Sequence, residues 1–403
     1  MPKSRIGLVP GIAALALVLT GCVPNAGTDG AGEAITVSST ETECTVGAAE
    51  ATAGTLTFNV TNDGDRVTEF YLLADDGLRI VGEVENIAPG TERTLTVTAQ
   101  PGSYFTACKP GMIGENVGQT EFTVSGERVE LTGDEAEQQQ TAIDNYKAYV
   151  RDQVSQLVPA AEEFVAAYVA GDDETARDLF ASTRVYYERI EPTAEAFGDL
   201  DPKIDYREVD AREEGLDWTG FHRIEKDLWP PADGDLNSDD TDALDGWAPS
   251  TDAERQELGD QLLADIGELN DLVTSDDFEL QLGDISNGAI GLLDEVATGK
   301  ITGEEDWWSG TDLTDFQANV EGAEVAYGIV RDMALAQGDE GEQLVADIDA
   351  GFEELNAELA EYGSIDEGFT NYQDLTDEQI KGLSDKVSAL AEPLSQLTAL
   401  LLG

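Results

Sequence analysis

The chain of 403 residues carries 84 acidic against 22 basic side chains, a formal charge of −62, and a single histidine. Such a charge repels nucleic acid and anionic lipid headgroups, which excludes DNA and RNA as partners, and it concentrates cations near the surface. Its plain reading is a solvated surface suited to solubility or salt, with cation gathering as a by-product.

Residues 1–21 read as an export signal. Lys3 and Arg5 precede an apolar stretch from Ile6 to Leu19 that is too short, and broken by Pro10, to span a bilayer as a stable helix. Leu19-Thr20-Gly21-Cys22 resembles the bacterial lipobox, after which Cys22 becomes a lipidated N-terminus at the outer face of the cytoplasmic membrane. The alternative is an ordinary signal peptide with a chance cysteine; the small residues directly before Cys22 and the Gly-rich tether over 22–33 argue against it. Export also places Cys44 and Cys108 in an oxidising compartment, where two thiols that end up close usually form a disulfide.

From 34 to 131 the pattern is that of strands. Ile35 to Ser39, Leu56 to Thr61, Glu69 to Leu73, Leu78 to Val84, Arg93 to Thr98, Ser103 to Ala107 and Glu121 to Val124 are short and rich in Thr, Val, Phe and Tyr. Turn residues such as Asn62-Asp63-Gly64 and Pro101-Gly102 separate them, and this grammar predicts an all-β Greek-key sandwich. A polar run over 132–140 links the sandwich to the next body or begins its first helix.

From 141 to 403 the period becomes helical. Phe278, Leu282, Ile285, Ala289, Leu292 and Val296 recur at steps of three and four, as do Phe316, Val320, Ala323, Tyr327 and Val330. Thr376 and Gln379 form a capping box ahead of a last helix reaching Leu401, which Pro393 should bend. About 260 residues of this kind make an all-α helical bundle large enough to bury its own core. The acidic, Pro-rich segment 227–253 interrupts the pattern and is either a functional loop or a solvated insertion.

The lone histidine, His222, stands three residues before Glu225, so on a helix both side chains project from one face and could grip one cation. One nitrogen among oxygens suits iron, manganese or zinc better than calcium or magnesium. In so acidic a chain the spacing alone is weak, and a histidine packed or capping within a bundle is the bland alternative. Glu188 and Glu191, at the end of a helix, and Asp205 shortly afterwards give the pair company.

These residues carry a resemblance. Tyr187-Glu188-Arg189-Ile190-Glu191-Pro192, Phe197-Gly198-Asp199-Leu200-Asp201-Pro202, Gly220-Phe221-His222-Arg223-Ile224-Glu225 and Asn287-Gly288-Ala289-Ile290-Gly291-Leu292 resemble the imelysin-like helical domain of the EfeO-type iron-uptake lipoproteins. Thr68-Glu69-Phe70-Tyr71 and Ala107-Cys108-Lys109-Pro110-Gly111-Met112 likewise resemble that family's cupredoxin-like domain, so the likeness covers essentially the whole mature chain. It implies a metal site of Glu188, Asp205, His222 and Glu225, with Glu191 as a neighbour, taking Fe2+ or Fe3+ and leaving zinc open. It also implies a membrane iron permease and a haem peroxidase as partners, with no catalytic residues. Where the family commonly continues Arg-Tyr-Ser-His-Thr-Asp, this chain has Trp307-Trp308-Ser309-Gly310-Thr311-Asp312. Glu304, Glu305 and Asp306 just before are read as an acidic turn at a helix start.

The sandwich has no histidine, so a blue-copper centre, which needs two, is ruled out. Cys44 and Cys108 either brace the sandwich as a disulfide or, as the resemblance suggests, bind copper or iron with Glu69; Met112 reads as packing. Two other functions compete with iron capture. A zinc metallopeptidase, the class to which imelysin-like domains were first assigned, needs an open zinc position, and the usual HExxH signature is missing. A calcium-holding surface protein needs alternating Asp and Asn with a Gly and a final Glu, a spacing that Asp233 to Asp245 lacks.

Overall fold

The computed structural model describes residues 34–75, 77, 80–112, 116–127, 134–276, 278–298 and 300–402. The export signal over 1–21, Cys22, the tether over 22–33 and Leu78 of the expected strand Leu78 to Val84 lie outside the described residues.

The N-terminal body is a sandwich of two sheets. Its strands are β1 (Ile35–Ser39), β2 (Cys44–Val46), β3 (Glu50–Thr52), β4 (Gly54–Asn62), β5 (Thr68–Leu73), β6 (Ile80–Ile87), β7 (Glu92–Ala99), β8 (Gly102–Cys108) and β9 (Val117–Ser125). One sheet runs β2-β1-β4-β7 and the other β3-β9-β8-β5-β6, so the chain changes sheet at every step from β2 to β5 and again on entering and leaving β7. β4 alternates as a half-covered strand should, burying Leu56, Phe58 and Val60. Phe58 packs on Phe70 and Phe122 of the facing sheet at ring separations of 5.2 and 5.7 Å. β2 and β3 are the strands that the sequence pattern does not predict. Each is three residues long, too short for a period to show, and each exists because it pairs with a stronger neighbour, β1 or β9.

Helices follow: α1 (Asp134–Ala170), α2 (Asp173–Glu188), α3 (Leu200–Asp205), α4 (Glu208–Glu214), α5 (Gly220–Leu228), α6 (Asp252–Thr274), α7 (Leu282–Thr298), α8 (Asp312–Leu335), α9 (Asp339–Leu359), α10 (Asp377–Leu394) and α11 (Leu397–Leu402). On α1, Tyr146, Val150, Val154, Leu157, Ala161, Phe164 and Tyr168 form one apolar stripe at steps of three and four, and all are buried against α2 and α6. The α1 start at Asp134 falls inside the expected linker over 132–140. Thr376 and Gln379 make both bonds of the capping box on α10. The last helix, expected to bend at Pro393 and run to Leu401, instead stops at Leu394, and α11 follows as a separate piece. Phe278, expected inside a helix, precedes α7 but is still buried. Among the described residues no helix is long and apolar enough to cross a membrane.

The two bodies meet where β6 lies against α7. Arg93 pairs with Asp294 at 2.5 Å, Asn287 donates to the Thr96 carbonyl at 3.0 Å, and Thr55 donates to the Leu402 carbonyl at 3.1 Å.

Candidate metal centre

Three separate segments converge at His222: the end of α3, α5 itself, and the turn that precedes α8. The convergence depends on Gly220, the first residue of α5, which has φ +82°. A Cβ there would stand 2.1 Å from the Ile204 carbonyl oxygen, so only glycine lets α5 start directly on the end of α3. Thr219 fixes the approach by donating to the Lys203 carbonyl at 2.8 Å. The imidazole two residues on is thereby set beside Asp205.

His222 is 2 % exposed. Its Nε2 lies 3.5 Å from Asp205 Oδ1 and 3.4 Å from Glu305 Oε1, while its Nδ1 lies 3.3 Å from Glu225 Oε2 and 3.8 Å from Asp306 Oδ1. Both ring nitrogens therefore face carboxylates. Glu225 is held in place from its other oxygen, which accepts the backbone N–H groups of Trp308 and Ser309 at 3.1 and 2.8 Å. Two buried atoms at this point, His222 Nε2 and Asp306 Oδ1, have no hydrogen-bond partner. An orphaned nitrogen and an orphaned carboxylate oxygen are unusual in a packed interior, and each fits a cation on its own side of the ring, Nε2 with Asp205 and Glu305 and Asp306 with Glu225 and Nδ1.

Beside this group sits a fully buried guanidinium. Arg184 lies over the faces of Phe180 and Phe221, at 5.7 and 5.6 Å. It donates to Asp205, to Glu188 at 2.5 Å and to Asp315 at 3.0 Å. The second oxygen of Glu188 accepts Lys300 at 3.2 Å and Asn319 at 3.0 Å, and Lys300 also bonds Glu191 at 2.6 Å. Burial alone would lift the Glu188 carboxyl, but Lys300 and Arg184 hold it below its ordinary value. Burial and Arg184 push the His222 imidazole down, yet contacts with Glu225, Glu305 and Asp205 outweigh them and raise it to about 10. Burial opposes the charged form of Glu305, but Lys300 and His222 keep its carboxyl well below the usual range. For Asp306, burial prevails over Arg184 and the carboxyl is pushed well above it.

The imelysin (peptidase M75) family model matches residues 142–397. The chain belongs to the imelysin family. The iron uptake system component EfeO of Escherichia coli O1:K1 is 38% identical over 374 residues, covering 91% of this chain and 91% of its own. The proteins of the same description from E. coli K12 and Shigella flexneri are 37% identical over the same shares. This imelysin chain is therefore of the EfeO type, sandwich included.

Of the residues expected at the metal site of this imelysin domain, the fold brings His222, Glu225 and Asp205 together. Glu188 stands one step away: it groups with Glu191 and Asp205, and Arg184 lies between it and the imidazole group. Glu305 and Asp306, expected in an acidic turn at a helix start, instead face His222, because α8 begins only at Asp312 and residues 304–310 fold as a turn. The signal for this was present in the glycines, Gly303 and Gly310, that bracket the segment and mark a turn.

The loop after α5 is tied to the centre. Lys226, next to Glu225, sits in a cage of Trp308, Trp247 and Trp218 at 4.9, 5.5 and 5.8 Å and bonds Glu208 and the loop residue Asn237. Two clefts result. A narrow one reaches His222, Glu225 and Glu305 between Trp218 and Trp307, and a wide one runs between Trp229, Leu236, Tyr372, Asp306 and Asp312.

In the sandwich of the imelysin chain, Cys44 and Cys108 form a disulfide that ties β2 of one sheet to β8 of the other. Of the two readings of Cys44, Glu69 and Cys108 the structure has the disulfide, and paired sulfurs offer no thiolate to copper or iron. Glu69 instead accepts the Tyr71 hydroxyl and lies with Glu83 and Glu85, their carboxylate oxygens within 4.8 Å.

Proposed function

We propose that this protein is an extracytoplasmic iron-binding lipoprotein of an Efe-type uptake system. Iron is its cargo. It captures Fe2+ or Fe3+ at the His222 centre and passes the ion to a membrane iron permease, with a haem peroxidase as a further partner. Lipidation at Cys22 holds it on the outer face of the cytoplasmic membrane, which matches the lipobox reading of residues 19–22.

The observation that carries the reading is the meeting of both His222 nitrogens with carboxylates of Asp205, Glu305, Glu225 and Asp306, two of the facing atoms being buried without partners. One imidazole with surrounding carboxylates is a donor set for first-row transition ions rather than for calcium. Zinc shares that preference. That the EfeO relatives are iron uptake system components favours iron.

Elemental analysis and titration calorimetry test it. The parent chain should bind iron, and a His222→Ala, Glu225→Ala double variant should lose that binding. Equal affinity in parent and variant would remove the centre. Zinc-dependent peptide cleavage by the parent and not the variant would favour the metallopeptidase reading instead.

A further inference from the structure

The two clefts flanking His222 differ in what their carboxylates already hold. In the narrow one, Glu304 pairs with Arg207 at 2.7 Å and Glu208 pairs with the buried Lys226. Those two acids are ion-paired, and the Arg207 guanidinium itself lines the opening, so that Glu225 and Glu305 at its inner end face His222 behind a basic group. In the wide cleft the acids are Asp306 and Asp312, 0 % and 4 % exposed. Asp312 Oδ1 accepts the Asp306 backbone N–H at 3.1 Å, but Asp312 Oδ2 has no hydrogen-bond partner; Asp306 Oδ1 has none either and stands 3.7 Å from Arg184 Nε. Arg177, on the same cleft, is engaged with the Leu228 carbonyl at 2.7 Å. Asp306 belongs to both places: it lines the wide cleft, and its orphaned Oδ1 lies 3.8 Å from His222 Nδ1.

We propose that the wide cleft is the cation's way in, and that Asp312 is a transit ligand which passes a divalent first-row ion to Asp306 and so to the His222 centre. The inference rests on the reading of that centre. A cation shedding water needs replacement oxygens along its path, and two desolvated carboxylate oxygens without hydrogen-bond partners supply them. Glu304 and Glu208 in the other cleft would first have to give up an arginine or a lysine, which Asp312 Oδ2 does not.

The test is kinetic. Association of Co2+, and of Fe2+ under anaerobic conditions, is followed by stopped-flow tryptophan emission on the full chain. Asp312→Asn keeps the acceptor for the Asp306 N–H but removes the charge. It should slow association about tenfold. Dissociation should slow by a similar factor, since a transit ligand lowers the barrier in both directions, and Asp312→Glu should restore both rates. Glu304→Gln, in the narrow cleft, should leave association unchanged. The proposal is overturned if Asp312→Asn associates at the parent rate, if Glu304→Gln is the slow variant, or if Asp312→Asn speeds dissociation alone, which would make Asp312 a ligand of the final site. Melting curves identify a variant that has merely lost its fold, and the Asp312→Glu rates then decide. The His222→Ala, Glu225→Ala variant separates the two ideas: it tests whether the centre exists, whereas Asp312→Asn tests how an intact centre is reached.

Discussion

Oε1 of Glu305 lies 3.4 Å from Nε2 of His222, close enough to favour the imidazolium over the neutral ring. Together with Glu225 and Asp205 it lifts the imidazole to about 10 against burial and Arg184. A metal that takes a ring nitrogen must displace that proton, so affinity should weaken about tenfold for each unit of pH lost across the neutral range. The unperturbed imidazole value, near 6.5, would confine the effect to acid solution. Calorimetry at several pH values from 8 to 5 distinguishes them, and a flat profile excludes His222 as a ligand.

The same proton affects the metal-free fold with a definite sign. A raised pKa means that the folded state holds the proton more tightly than the unfolded chain. The stabilisation is complete below the unfolded value near 6.5 and fades as pH rises through about 10. Melting temperatures of chelator-treated protein should fall over that interval, and His222→Gln should flatten the decline.

Arg184 is the fixed counter-charge of the centre. Arg184→Met leaves Glu188, Asp205 and Asp315 buried without it, and removing one partner of a buried pair typically costs about 3–5 kcal/mol. Chemical denaturation should show this loss without iron. Saturating iron should return part of it, because the ion supplies positive charge to the same oxygens.

Gly220→Ala places a methyl group against the Ile204 carbonyl in a left-handed backbone, so α5 must lift from α3. Iron affinity should fall by more than about tenfold, the scale of a 1.4 kcal/mol loss. Gly267→Ala, in the interior of α6 with nothing within 4 Å, serves as the comparison and should leave affinity unchanged.

Reduction of the Cys44–Cys108 bridge, or Cys44→Ser with Cys108→Ser, opens a loop spanning 64 residues. Chain-entropy reasoning gives a loss of about 4 kcal/mol. Differential scanning calorimetry should show it in the sandwich transition, with iron binding at His222 retained.

The sandwich and the helices were legible because their apolar periods of two and of three to four are local properties, as in β4 and α1. The HxxE pair was legible for the same reason, lying within one turn of α5. Glu305 and Asp306 were not: their role depends on a turn that brings residues distant in sequence against His222, and an acidic triplet before a helix has the same composition whether or not it folds inward. Glu188 is a different case. Its position was read correctly as the end of α2, but nothing in the sequence announces that Arg184, one turn earlier, takes up its carboxylate.

All five tryptophans of the chain, Trp218, Trp229, Trp247, Trp307 and Trp308, stand in the Lys226 cage or along the two clefts, and the sandwich has none. Indole emission is therefore a built-in optical gauge of one neighbourhood. A paramagnetic ion arriving beside Trp308 quenches it directly, with no added dye, and unfolding confined to the β domain passes unseen in that channel.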